Sequence, residues 1–185
     1  MKNLKKILVP TDLSDNSRRA LAYAGALAED EKASLLILNV ANELNAWELH
    51  TEDLAFIGLG QKTWPLDRVL NEASLDLTRF LESSVASLKN IPMVTKRVVL
   101  GPIPQQIAKM AEDEHADLII LSPRRHRSLR HWLSGGITDR VTRLSPCPVL
   151  SVTGPLPTNS WRGKAVPWYF VWPRQTATAA LEHAR

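Results

Sequence analysis

A doubly wound α/β domain on a mostly parallel sheet of five strands is predicted by two observations. Short apolar runs of buried-strand character recur at Ile7-Leu8-Val9, Leu35 to Val40, Leu118 to Leu121 within the strand Asp117 to Leu121, and Val149 to Val152, and Val94 to Leu100 reads as a further strand bounded by Gly101-Pro102. Segments with helical spacing alternate with them. Strands joined through helices need crossover connections, which place helices on both faces of a mostly parallel sheet. In such a sheet a ligand binds beyond the carboxyl ends of the strands, where the winding reverses. For the strand order 3-2-1-4-5 that crevice lies between the first and fourth strands, so Asp12 and the loop after Leu121 would be its two lips.

The first strand, Ile7 to Val9, is followed by Thr11-Asp12 at the point where the chain must turn. From Leu13 to Glu29 the period becomes helical, with Ala20, Leu21, Ala24, Leu27 and Ala28 on one face and Ser14, Asp15, Asn16 and Ser17 as alternative N-caps. After the second strand, residues 42–64 carry no clear period and include Trp47, Gly58, Gly60 and Trp64, which reads as an irregular insertion. Helical spacing returns from Leu66 to Leu88 through Val69, Leu70, Ala73, Leu77, Phe80 and Leu81. The third strand stops at Gly101-Pro102, and the helix from Pro104 to His115 turns Ile107, Ala108 and Ala111 inward. The fourth strand feeds a long loop, Gly135-Gly136 opens a short helix from Ile137 to Leu144, and Pro146-Cys147-Pro148 leads into the fifth strand.

Residues 1–152 thus form one domain, and residues 153–185 a Pro- and aromatic-rich extension. Within the extension, 153–165 reads as a linker with Gly154, Pro155, Pro157, Asn159, Ser160 and Gly163. Trp168, Tyr169, Phe170 and Trp172 then concentrate enough apolar area to anchor the tail to its own domain, a dimer mate or another protein.

At 185 residues the chain can build a sizeable core, and its 44% hydrophobic and 23% charged residues are those of an ordinary soluble globular protein. The extension carries Arg162, Lys164, Arg174 and Arg185 against Glu182, so only +1 of the net +4 charge belongs to the body. That argues against a general nucleic-acid binder. A single cysteine, Cys147, excludes an intramolecular disulfide and fits a reducing, cytoplasmic compartment. Nowhere does an apolar run approach the ~20 residues of a membrane helix, so no membrane role is expected.

The chain resembles the universal stress protein family from Lys5 to Val152. Carrying the resemblance are a buried strand ending in Pro10-Thr11-Asp12, a helix with Arg19-Ala20-Leu21, the helix led by Gly135-Gly136, and the strand entry Pro146-Cys147-Pro148-Val149. It implies an adenine nucleotide alpha hydrolase-like fold, a homodimer formed through the last strand, and ATP or AMP as ligand, with magnesium only beside a triphosphate. It also implies that Asp12 meets a ribose hydroxyl and that the backbone at Val40 meets the adenine edge. Nucleotide-binding relatives carry Gly, two residues, Gly, nine residues, then Gly-Ser or Gly-Thr. Counted back from Gly135, the first two glycines fall on Ser122 and Arg125, and Gly136 stands where the hydroxyl residue would be. Arg125 brings a β-carbon, and Pro123 removes an N–H donor from the phosphate cradle.

The expected ligand-contact set is Pro10, Thr11, Asp12 and Val40 for the nucleoside, with Leu121, Ser122, Arg125, Gly135, Gly136 and Ile137 toward the phosphates. Asp12 has a second reading as a helix cap that needs no ligand. Arg124, Arg125, His126, Arg127, Arg130 and His131 form either an anion site, in which guanidinium forks replace backbone amides, or a solvated basic loop. Such an anion site would accept AMP, a dinucleotide or another anionic metabolite as readily as ATP. The histidines 50, 115, 126, 131 and 183 have no metal-ligand spacing. Ser122 and Ser134 lack the surroundings of a nucleophile, and no general base is evident, so turnover is limited to slow ATP hydrolysis at most. Cys147, between two prolines, reads as a small buried apolar residue. The competing reading of the whole is a dimeric stress-response partner without nucleotide, using the basic loop and the aromatic tail as contact surfaces.

Overall fold

The computed structural model describes residues 4–41, 66–84, 88–122, 136–152 and 168–171. Its elements in chain order are β1 (Lys6–Thr11), α1 (Asp15–Glu31), β2 (Ser34–Ala41), α2 (Leu66–Glu82), β3 (Val94–Leu100), α3 (Ile103–Asp113), β4 (Leu118–Leu121), α4 (Ile137–Leu144), β5 (Val149–Val152) and β6 (Trp168–Val171). The sheet order is β3-β2-β1-β4-β5-β6. From β3 to β5 all neighbours are parallel, which is the expected five-stranded arrangement. The expected insertion at 42–64 lies outside the described residues.

Alternation along each strand builds two cores, one on each face. Ile7, Val9, Leu35, Ile37, Leu118, Ile120, Leu150 and Val152 face α1 and α2, where they meet Ala20, Leu21, Ala24, Leu77 and Phe80. Leu8, Leu36, Leu38, Ile119, Leu121 and Val149 face the other way, toward Ile107 and Ala111 of α3 and Val141 of α4. Among the described residues no helix is long and apolar enough to cross a membrane.

Local chemistry sets the helix ends. Ser14 caps α1 by accepting from the Ser17 N–H. The second helix stops at Glu82, short of Leu88, because the hydroxyls of Ser83 and Ser84 donate to the Phe80 carbonyl at 2.7 and 3.1 Å in place of continued helix. Arg18 also donates to that carbonyl, and its guanidinium lies 4.4 Å from the centre of the Phe80 ring, tying α1 to α2. At the opposite end of the sheet from the crevice, the Asp117 carboxylate accepts the Lys5 and Lys6 N–H groups, and Lys6 pairs with Glu114 at 2.8 Å. The hydrogen bond from Lys6 holds the Glu114 carboxyl below its ordinary pKa.

Two helices end in a left-handed residue that is not glycine. Lys32 after α1 has φ 57°, and His115 after α3 has φ 52°. Each is followed by an N–H that reaches back to close the helix, Ala33 to Ala28 and Ala116 to Ala111, both at 2.9 Å. Glycine is the unstrained residue there. Lys32→Gly is therefore expected to raise the unfolding free energy by up to about 1 kcal/mol, the relief of strain exceeding the added chain entropy of the unfolded state, as read by urea denaturation.

The sixth strand is the main addition to the expected fold. Where the sequence reading left 166–173 as an aromatic anchor, Trp168–Val171 joins the sheet antiparallel to β5. All four β5 residues have a partner in it: Val149 with Val171, Leu150 with Phe170, Ser151 with Tyr169 and Val152 with Trp168. The edge of β5, expected to be open to a second copy, is thus taken by the chain's own tail.

Candidate functional site

The carboxyl end of β1 is held by two polar contacts. Thr11 is buried; its carbonyl accepts the side-chain amide of the buried Asn39 at 3.0 Å, and its hydroxyl oxygen accepts the Leu13 N–H at 3.0 Å. This lets Leu13 adopt φ 63°, an unfavourable conformation for a bulky residue that reverses the chain in the space of two residues. Between Thr11 and Leu13, Asp12 is exposed at the carboxyl end of β1.

Its carboxylate has defined partners. Oδ1 accepts the Ser14 N–H at 3.1 Å and the hydroxyls of Ser14 and Ser17, both at 2.5 Å. In return the Ser17 hydroxyl oxygen accepts the Asp12 N–H at 3.2 Å. Ser14, rather than Asp12, caps the helix, and Asp12 braces the capping residue. The helix-cap role offered for Asp12 from the sequence thus falls to Ser14, while Asp12 braces the turn through Oδ1 with its side chain at the surface.

On the other lip, β4 lies beside β1 with Ile7 opposite Leu118 and Leu8 opposite Ile119. Continuing that offset sets Pro10 against Leu121 and Thr11 against Ser122. Leu121 is buried in the α3 and α4 core, and the Ser122 hydroxyl donates to the Val152 carbonyl at 2.9 Å, linking the ends of β4 and β5. Val40, half-buried at the end of β2, packs on the same core. Pro10, Thr11, Asp12, Val40, Leu121 and Ser122 are thus gathered at the carboxyl ends of three adjoining strands, at the reversal of winding where the topology puts a ligand.

The connection after β4 returns as α4, whose first turn has Gly136 as its N-cap with no side-chain cap bond, and Ile137 exposed. A β-carbon at Gly136 would meet nothing within 4 Å. Backbone N–H groups at such a helix start suit an anion. Arg125 and Gly135, with Arg124, His126, Arg127, Arg130 and His131, lie outside the described residues.

Other chemistry lies elsewhere. Cys147 is buried before β5, with its thiol pushed above the ordinary value by burial and only partly offset by the Ser145 hydrogen bond. A shallow groove of about 250 Å³ near the start of β3 is lined by Thr78, Leu81, Glu82, Leu88, Lys89 and Lys96, none of them a sequence candidate. Among the described residues no three His, Cys, Asp or Glu side chains gather as for a metal ion. Asn39 is the positioning residue that sequence reasoning passed over; its only signal was one amide inside the apolar run Leu35 to Val40.

The family model described as the Universal stress protein family matches residues 3–153. The chain belongs to the universal stress protein family. Universal stress protein MJ0577 of Methanocaldococcus jannaschii is 28% identical over 152 residues, covering 80% of this chain and 94% of the relative. Universal stress protein YxiE of Bacillus subtilis is 28% identical over 148 residues, covering 80% of this chain and 97% of its own. Among solved structures, that of MJ0577 superposes with a TM-score of 0.60 at 26% identity, over 85% of this chain and 99% of that one. A universal stress protein solved in complex with cAMP shares the fold, with a TM-score of 0.54 at 23% identity over 82% of this chain and 98% of that one. These neighbours have the nucleotide alpha hydrolase-like fold. The family match ends before β6, so the sixth strand is an addition outside the matched region.

Proposed function

We propose that this universal stress protein binds an adenine nucleotide, ATP or AMP, at the carboxyl ends of β1 and β4 and acts as a nucleotide-responsive stress-response module. The observation that carries the reading is Asp12, held by Ser14 and Ser17 at the carboxyl end of β1, beside β4 where the winding of the sheet reverses. A carboxylate so fixed is preorganised to accept ribose hydroxyls without further ordering cost. Thr11 and Val40 line the nucleoside side. The start of α4 and the arginines of the preceding loop, Arg125 first, receive the phosphates in place of a glycine cradle. Magnesium enters with a triphosphate only. No residue is assigned as a general base, so hydrolysis, if any, is slow. The cytoplasm is the proposed compartment, in keeping with the single cysteine.

A second reading, a protein-binding member that has given up nucleotide, is favoured by one feature: the Ser122 hydroxyl is engaged with the Val152 carbonyl at the position expected for the first motif glycine. Arg125→Ala separates the two. If arginines hold the phosphates, the substitution weakens ATP by about tenfold or more, the worth of a charge-assisted hydrogen bond, and leaves adenosine binding unchanged. Equal ATP affinity in wild type and variant would remove Arg125 from the site. Pairing of two copies through the last strand belongs to the family reading, on the condition that the β5 edge is open.

A further inference from the structure

The parallel sheet ends at β5, whose four residues are all buried in the described fold. A strand at that position with no neighbour would present a row of unpaired N–H and C=O groups, which is a template for another chain. A second copy that continues the sheet across a two-fold axis perpendicular to it must present its own β5 antiparallel to the first. The sixth strand also runs antiparallel to β5, and it pairs with every residue from Val149 to Val152. The chain's own tail and a second copy's β5 therefore need the same backbone groups in the same direction, and only one can have them.

We propose that β6 is a built-in competitor for self-association: seated on β5 it keeps the chain monomeric, and its release opens the β5 edge to a second copy of this chain. The inference rests on the sheet and is independent of the nucleotide reading. Two features favour the intramolecular pairing. Residues 153–167 tether β6 to the end of β5, and a tethered segment acts at an effective concentration of about millimolar, far above a partner copy at micromolar concentration. Pro167 and Pro173 bracket the strand and lack the N–H that would lengthen it, so the outer edge left by β6 is short, which is how sheets avoid further pairing.

The test keeps the full chain. Successive residues in a strand direct their N–H groups to opposite sides, so the double variant Tyr169→Pro/Phe170→Pro removes at least one bond to β5 whichever phase the ladder has. Sedimentation is expected to find wild type monomeric and the proline variant dimeric, with self-association tightened by about tenfold or more. A second variant, Ser151→Cys/Tyr169→Cys in a Cys147→Ala background, joins opposed residues of β5 and β6. On oxidation it is expected to give a disulfide within one chain and a permanent monomer. A dimeric wild type, a disulfide linking two chains, or a proline variant that is folded by circular dichroism yet monomeric would each overturn the proposal. If the proline variant does not fold, the cysteine pair decides: a link within one chain in a monomeric protein supports the proposal, and a link between chains ends it.

Discussion

Asp12→Asn is expected to weaken adenine-nucleotide binding by about 10- to 100-fold while leaving the fold intact, and Asp12→Ala to damage both. The distinction follows from how the carboxylate is used. Oδ1 accepts from the Ser14 N–H and from the Ser14 and Ser17 hydroxyls, and an asparagine oxygen can accept all three. What asparagine lacks is the charge and the second acceptor, and a hydrogen bond to a charged group is worth about 1.5–3 kcal/mol, the basis of the fold-change above. Alanine removes the acceptor altogether. It leaves the buried Ser17 hydroxyl short of a partner and the Leu13 turn without its brace, at a cost of about 1–2 kcal/mol in urea unfolding. If Asp12→Asn binds nucleotide as tightly as wild type, the carboxylate serves the turn alone.

The second large effect is expected at Asn39. Its amide is the donor that fixes the Thr11 carbonyl, in the interior and in register with it across β1 and β2. Asn39→Ala leaves that carbonyl without the donor and costs about 1–3 kcal/mol. Asn39→Asp is expected to be worse, about 3 kcal/mol or more at neutral pH, because an ionised carboxylate cannot donate and would face a carbonyl in a buried setting. Burial disfavours the charged form and raises the pKa of the introduced carboxyl above its unfolded value. Its penalty is thus present above that folded pKa and fades as pH falls through it, so the variant should recover stability relative to wild type in mild acid. Urea unfolding at neutral and mildly acidic pH reads both effects. Since Thr11 and Asp12 hang from this bond, nucleotide affinity should fall with stability. A variant that unfolds at the wild-type denaturant midpoint would show that the amide contributes little.

The four inner parallel strands were legible because a strand covered on both faces needs a mostly apolar run, and such runs stand out from the helical periods between them, whereas the edge strand Val94–Leu100, with Lys96 and Arg97 and no buried residue, was marked by its Gly101-Pro102 boundary. Val94–Leu100, Val149–Val152 and the helix Ile137–Leu144 have the bounds read from the sequence. The second helix is shorter than its apolar spacing implied, because Ser83 and Ser84 bond back to Phe80, an effect of two hydroxyls that periodicity does not weigh. Trp168 to Val171 carried strand-forming residues, yet the partner of a four-residue strand is a matter of tertiary pairing, and the sequence favoured packing on its own domain or a dimer mate without deciding between them. The site divides in the same way. Pro10-Thr11-Asp12 marked itself by following a buried strand, whereas the bracing by Ser14 and Ser17, the strained Leu13 and the amide of Asn39 are contacts between segments or conformations that no spacing rule encodes.

Calorimetric titration of the full chain with ATP, ADP and AMP, with and without magnesium, tests the central claim most directly. Saturable heat with one site per chain, present for the nucleotides and weakened by about tenfold or more in a folded Asp12→Asn variant, is the predicted result. A folded protein that gives no heat with any of them would contradict the nucleotide reading and leave a family member that works through protein contacts alone.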